Sequence, residues 1–358
     1  MQHDKAPGRA CPVAGASVID YAATARRLGW GELPAAVRAR VAGWTGGRVG
    51  SVQLAGGGFT HGFAALVDGP RPLFAKAIAL DDPHIAAAYA REVEVLAALP
   101  ASAPIPALLE HEVVAGWQVL ATVPVTGRMP GAPWTVEDAR AVHDSCRMSN
   151  TVLEAAGPAV VPVAGTMAAD WAGFLAGLEG GLEGGLESGA DGGGPLTDHG
   201  RRPAFLPGWF RGGAGDVLAR WILDAASRAP TALAGTTPLN NDLRADNVVI
   251  AHAALGGFDA GTAWICDWNF LALGPGWADW VALWPALYDA GLPVAEFTSW
   301  ELAAGAQEAD VDAWLSVLFL YYVQAGSRPP VPTSPELRPH QRLCARQALA
   351  LLAVRSGC

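Results

Sequence analysis

The stretch from Pro238 to Asp279 limits what this chain can fold into more than any other. Val248-Val249-Ile250 is a short β-branched run, and Ala263-Trp264-Ile265-Cys266 is a second apolar one. Gly256-Gly257 and Asp259-Ala260-Gly261 lie between them, so the pair reads as a hairpin with an irregular loop. Asp242 and Asn247 precede the first strand, and Asp267 follows the second. A hairpin brings all three toward one end. Two carboxylates and a carboxamide make an oxygen-rich cluster, which suits Mg²⁺. Taken singly, each is also an ordinary turn residue.

The spacing narrows the reading. An Asp followed five positions later by an Asn, with a further Asp beyond, is the pattern of a kinase catalytic loop. Asp242, Asn247 and Asp267 fit it. The stretch resembles the aminoglycoside phosphotransferase and choline kinase branch of the protein kinase-like superfamily, whose loop usually reads His-Gly-Asp-Leu-x-x-x-Asn. Here Asn240 and Asn241 stand in place of His and Gly, a departure that bears on loop geometry more than on chemistry. The run Gly274-Pro-Gly-Trp-Ala-Asp279 resembles the family's next segment. That likeness implies that Asp279 hydrogen-bonds the catalytic-loop backbone.

The rest of the chain can be read in the same frame. Residues 1–17 read as a flexible tail, and Val18–Leu28 and Glu32–Ala42 carry apolar residues at helical spacing. From Val49 to Val67 the pattern is strand, glycine turn, strand. Gly57 and Gly58 in that turn would let backbone N–H groups approach phosphates, although a plain hairpin explains a glycine turn equally well. Only Lys5 and Lys76 are lysines among 24 basic residues, and Lys76 sits amid apolar neighbours in the strand Pro72–Leu80. A lysine there needs a partner or must snorkel to solvent. The resemblance supplies the partner, Glu92, on the helix Ile85–Leu99, and gives the pair a role in holding phosphates. Trp117–Gly127 resembles the family's hinge. Pro124 has no N–H, so Val125 is the expected donor to adenine and Val123 the expected acceptor.

Beyond Gly131 the pattern is helical, with a Thr135-x-x-Asp138 cap. Helices are expected over Thr135–Leu153, from Trp171, and over Asp216–Ala226, Trp277–Tyr288, Val311–Ala325 and Pro339–Val354. Residues 177–194 form a Gly-Leu-Glu repeat that reads as a flexible insertion. His143 and His199 read as surface residues. No His/Cys set has zinc spacing, and no serine sits in a G-x-S-x-G elbow.

Composition excludes some classes. The chain has 358 residues, 51% hydrophobic and 16% charged, as a globular protein does. A net charge of −10 argues against nucleic acid as partner. No apolar run is long enough for a membrane span, and no secretory signal is evident. Five scattered cysteines read as reduced thiols in a cytoplasmic protein.

These features together imply an α+β, two-lobed protein-kinase-like fold with a small β-rich N-lobe and a larger, mainly helical C-lobe. The expected division is 1–48 tail and helices, 49–125 N-lobe with the nucleotide loop, and 126–358 C-lobe with catalytic loop and acceptor pocket. The resemblance implies transfer of the ATP γ-phosphoryl to a hydroxyl of a small molecule. Asp242 would be the catalytic residue. Gly57, Gly58, Lys76, Glu92, Val123 and Val125 would bind ATP, and Asn247 and Asp267 would hold Mg²⁺. The short span from Asp267 to Asp279 contains no Ser, Thr or Tyr, which leaves no activation loop to phosphorylate. The acids Asp289, Glu296, Glu301, Glu308, Asp310 and Asp312, interleaved with Trp284, Tyr288, Trp300 and Trp314, suggest a cationic, aminoglycoside-like or amino-alcohol acceptor. A catalytically silent nucleotide-binding or scaffold protein is the alternative.

Overall fold

The computed structural model describes residues 19–180, 196 and 202–357. Within it, alternating short side chains build an antiparallel sheet of five strands: β1 (Val52–Leu54), β2 (Phe63–Val67), β3 (Leu73–Ala79), β4 (Leu108–Val114) and β5 (Trp117–Thr122). Their order in the sheet is β1-β2-β3-β5-β4. Period-two alternation sorts the two faces. Phe63, Ala65, Val67, Ala75, Ala77 and Val119 point to one side, where they pack with Leu33, Val37 and Val41. The last two belong to helix α1 (Ala35–Trp44). Lys76 falls between Ala75 and Ala77 in β3, so it points to the opposite face. There Ile78 and Leu120 meet Ala86, Tyr89 and Val93 of helix α2 (Pro83–Ala98). Asp82 caps that helix by accepting from the Ile85 N–H at 3.2 Å.

The second half is mostly helical. Helix α3 (Val136–Ala155) starts where its cap predicts, with Thr135 Oγ1 accepting from the Asp138 N–H at 3.1 Å. The helices Glu308–Ser327 and Leu337–Arg355 pack along each other. The expected hairpin is present: Val248–Ala251 pairs antiparallel with Ala263–Ile265. The expected helix Trp277–Tyr288 is instead two short ones, Ala278–Ala282 and Trp284–Asp289. Pro285 lacks the N–H that a continuous helix needs there. Among the described residues no helix is long and apolar enough to cross a membrane.

Two further expectations change. Residues 19–28 are not helical. Two of their backbone bonds go to distant partners: Arg26 N donates to Thr333 O and Leu28 N to Gly62 O, each at 2.9 Å. His143 is buried, not a surface residue. It bonds Asp144 and the Leu302 N–H and packs edge-on against Trp280 and Trp300. Residues 1–17, His199 and positions 181–194 of the glycine-rich repeat lie outside the described residues, while 177–180 close the helix Met167–Gly180.

His340 joins the first described segment to the last helix. Tyr21 Oη lies 3.0 Å from its Nδ1, Cys344 Sγ lies 3.5 Å from its Nε2, and Phe59 packs on its ring. Burial lowers its pKa to about 4. An unfolded His titrates near ~6.5. Above that both states are neutral; below it the unfolded chain takes up a proton that the folded chain refuses. Stability should therefore fall as pH drops from about 6.5 toward 4. Thermal unfolding across that window should show a shallower slope for His340→Gln than for the wild type. Equal slopes would acquit His340.

Candidate active site

A cavity of about 450 Å³ separates the five-stranded sheet and α2 from the hairpin. All eight residues assigned above to nucleotide or metal line it: Gly57, Gly58, Lys76, Glu92, Val123, Val125, Asn247 and Asp267. Lys76 Nζ donates to both Glu92 oxygens, at 2.7 and 2.8 Å, and to Asp267 Oδ1 at 3.0 Å. The Lys76 and Glu92 side chains are only 16% and 5% exposed. Burial works against the Lys76 ammonium, yet Asp267 and Glu92 hold its pKa above the usual lysine value. Burial likewise opposes the Asp267 carboxylate, and Lys76, then Arg244, hold its pKa below the usual range. Asp267 sits at φ 62, a left-handed conformation that a non-glycine residue adopts at some cost.

Asp242 does not line the cavity but adjoins it. Asn247 Nδ2 donates to the Asp242 carbonyl at 2.8 Å and to its Oδ2 at 3.1 Å. Burial pushes the Asp242 carboxyl up to about 6, with Arg244 pulling the other way. That value suits a group that accepts a proton near neutral pH.

The two departures from the loop pattern are accounted for locally. Asn240 is fully buried, and its Nδ2 donates to the Cys266 and Asp267 carbonyls, each at 3.3 Å. Its Oδ1 accepts from the Asp242 N–H at 3.1 Å. One side chain thus ties the Asp242 loop to the Asp267 loop. Asn241 sits at φ 62, where Gly is easiest and Asn is the best-tolerated alternative. Asp279 accepts from the Asn240 and Asn241 N–H groups at 2.7 and 2.9 Å, the contact that the resemblance implied. Substituting Asn241→Gly should leave the melting temperature nearly unchanged, while Asn241→Val should cost about 1–2 kcal/mol. Similar melting temperatures for both variants would mean the left-handed turn is not required.

Sequence reasoning missed three contributors. Arg27 donates to the Thr60 carbonyl and to the Gly57 carbonyl at 2.8 Å, and Thr24 Oγ1 donates to the Gly58 carbonyl and to the Gly56 carbonyl at 2.8 Å. These bonds brace the glycine turn from behind. Gly56 approaches Ala22 so closely that a Cβ would lie 2.9 Å from its Cα. Arg244 pairs with both Asp242 and Asp246 and stands over the Phe59 ring. No spacing signal marks Arg27 or Thr24, because their partners lie about thirty residues away.

Five of the six acids expected to draw a cation have partners of their own. Glu296 pairs with Arg140, Glu301 with Arg147, and Glu308 and Asp312 with Arg355, while Asp289 accepts from Gln347. Trp284, Trp300 and Trp314 are buried. Their alternation with acids reflects helices with one packed face and one solvated face.

Neither models of protein families nor curated proteins match the sequence. Solved structures do match the fold. One is a thermostable mutant of aminoglycoside phosphotransferase APH(4)-Ia in ternary complex with ADP and hygromycin B. It aligns with a TM-score of 0.52 at 14% identity, covering 89% of this chain and 98% of that one. Another is spectinomycin phosphotransferase APH(9)-Ia in complex with ADP and spectinomycin, with a TM-score of 0.51 at 10% identity, covering 86% and 94%. The small sheet, the helical second half and the cleft between them give this chain the protein-kinase-like fold of the aminoglycoside phosphotransferases.

Proposed function

We propose that this protein is an ATP-dependent phosphotransferase that moves the γ-phosphoryl group to a hydroxyl of a small molecule. One observation carries the reading: Lys76, held by Glu92, reaches Asp267 in the same cleft where Asn247 holds Asp242. Lys76 would bind the nonreacting phosphates and Asp242 would orient the acceptor hydroxyl and take its proton. The braced glycine turn would cover the phosphates, with Val123 and Val125 beside adenine. The Val123 N–H is already committed to the Ala107 carbonyl at 2.9 Å, so its carbonyl is the group left to offer.

Asn247 and Asp267 line the same cavity and offer hard oxygen donors, a set that would fit Mg²⁺ with its remaining positions left to phosphates and water. A bound Mg²⁺ would neutralise charge on the phosphates. The test is phosphoryl transfer from MgATP to a panel of hydroxylated acceptors, hygromycin B and spectinomycin among them, since the two neighbours above are bound to these. Transfer is expected to at least one acceptor. Asp267→Ala should weaken MgATP binding more than metal-free ATP binding; equal loss would make Asp267 a structural residue. MgATP binding without transfer to any acceptor would favour a silent nucleotide-binding protein.

A further inference from the structure

Two side chains that precede the first strand hold four carbonyls of the glycine turn. Thr24 Oγ1 donates to the Gly58 carbonyl and to the Gly56 carbonyl at 2.8 Å. Arg27 donates to the Thr60 carbonyl and to the Gly57 carbonyl at 2.8 Å. A planar trans peptide sets each C=O opposite the N–H of the next residue, and the peptides of this turn are trans. Drawing these carbonyls toward residues 24 and 27 therefore turns the N–H groups of Gly57, Gly58, Phe59 and His61 the other way. None of those four N–H groups has a partner among the described residues. Gly58 sits at φ 79 between residues without positive φ. That change of hand lets successive N–H groups converge into an anion-binding concavity.

The segment that carries Thr24 and Arg27 is fixed to the helical half of the molecule. The Arg26 N–H donates to the Thr333 carbonyl at 2.9 Å, Ser334 Oγ donates to the Thr24 carbonyl at 3.3 Å, and Tyr21 Oη lies 3.0 Å from His340 Nδ1. Thr24 is fully buried. The glycine turn, which belongs to the five-stranded sheet, is thus held from across the cleft. Tyr21, Ala22 and Arg27 line the cavity together with Gly57, Lys76 and Asp267. Charge reinforces the geometry. Lys76, Glu92 and Asp267 pair with one another, and Asp246 pairs with Arg244. Among the described residues Arg27 has no ion-pair partner and donates to the turn carbonyls instead. A cationic donor polarises the peptide that it bonds and strengthens the N–H on the far side.

Resting on the phosphotransferase reading, we infer that Thr24 and Arg27 are positioning residues for the phosphates of the donor nucleotide. They turn the amides of Gly57, Gly58, Phe59 and His61 toward the phosphates and hold them in that orientation from the helical half. The segment ahead of the first strand is thereby a working part of the nucleotide site. The amides meet the phosphates; Thr24 and Arg27 act through the turn.

The test uses the full chain. MgADP and adenosine are titrated by calorimetry, and amide hydrogen exchange over residues 57–61 is followed with and without MgADP. In the wild type MgADP should slow exchange of those amides. Thr24→Val and Arg27→Gln should each weaken MgADP binding at least tenfold and remove the slowing. Adenosine, which has no phosphate to meet the turn, should bind both variants within threefold of the wild type. Thr24→Ser keeps the hydroxyl and should bring MgADP affinity back to within threefold. Circular dichroism shows whether each variant is folded; if Thr24→Val is not, Arg27→Gln decides. The inference is overturned if the folded variants bind MgADP as the wild type does, if they lose adenosine and MgADP in equal measure, or if MgADP leaves exchange at 57–61 unchanged. Failure of the wild type to bind MgADP sinks the phosphotransferase reading itself, whereas wild-type binding with any of those three results sinks only this inference.

Discussion

Asp242→Asn is expected to lower turnover about 10²–10⁴-fold, the range for loss of a positioned general base. Nucleotide affinity should change little. Asp242 stands outside the cavity lining and is tied to it through Asn247 and, by way of Arg244, Asp246. An asparagine keeps the size and one acceptor oxygen but cannot take the hydroxyl proton. Arg244 would lose one partner and keep Asp246, so the loop should hold its shape. Steady-state kinetics with a productive acceptor, alongside calorimetric titration with MgADP, checks both halves. Turnover near the wild-type value would remove Asp242 from the chemistry. A matched collapse of nucleotide binding would assign it to scaffolding.

The second large effect concerns the Lys76–Glu92 pair. Lys76→Met should destabilise the fold by about 3–5 kcal/mol, because it leaves the Glu92 carboxylate buried and uncompensated. Burial already holds the Glu92 pKa above the ordinary carboxylate value with Lys76 in place. The double variant Lys76→Met/Glu92→Leu should recover most of that stability, since apolar side chains of similar volume often replace a buried pair at little cost. Asp267 is 31% exposed at its side chain and can be hydrated once Lys76 is gone. The double variant should still bind MgATP poorly, having lost the ammonium proposed to hold the phosphates. Denaturant unfolding and nucleotide titration separate the two roles. Wild-type affinity in the stable double variant would make the pair purely structural.

Much of the site could be read from the chain because its signals are local. The hairpin follows from two apolar runs with glycines between them. Asp242, Asn247 and Asp267 follow from their places at the ends of those runs. Lys76 stood out as a lysine in an apolar strand, and period-two alternation put it on the face opposite the Ala75–Ala77 packing. The eight residues assigned to nucleotide and metal meet around one cavity because a strand, a helix, a hinge and a hairpin each deliver theirs at a fixed offset from its own turn or cap.

What the sequence could not give depends on distant partners. Residues 18–28 carried helical spacing, yet the N–H groups of Arg26 and Leu28 found Thr333 and Gly62. His143 looked like a solvated helix residue until the Trp280 and Trp300 rings closed over it. Glu296, Glu301, Glu308 and Asp312 read as free helix charges, and arginines from other helices pair with them.

By itself, then, the sequence determined the two-lobed fold class and put forward the candidate site residues, because turn chemistry, strand alternation and motif spacing act over a few residues. The tertiary structure alone decided which charges are neutralised and how the glycine turn is braced. Those outcomes depend on contacts such as Tyr21 to His340, 319 positions apart, which no local pattern encodes.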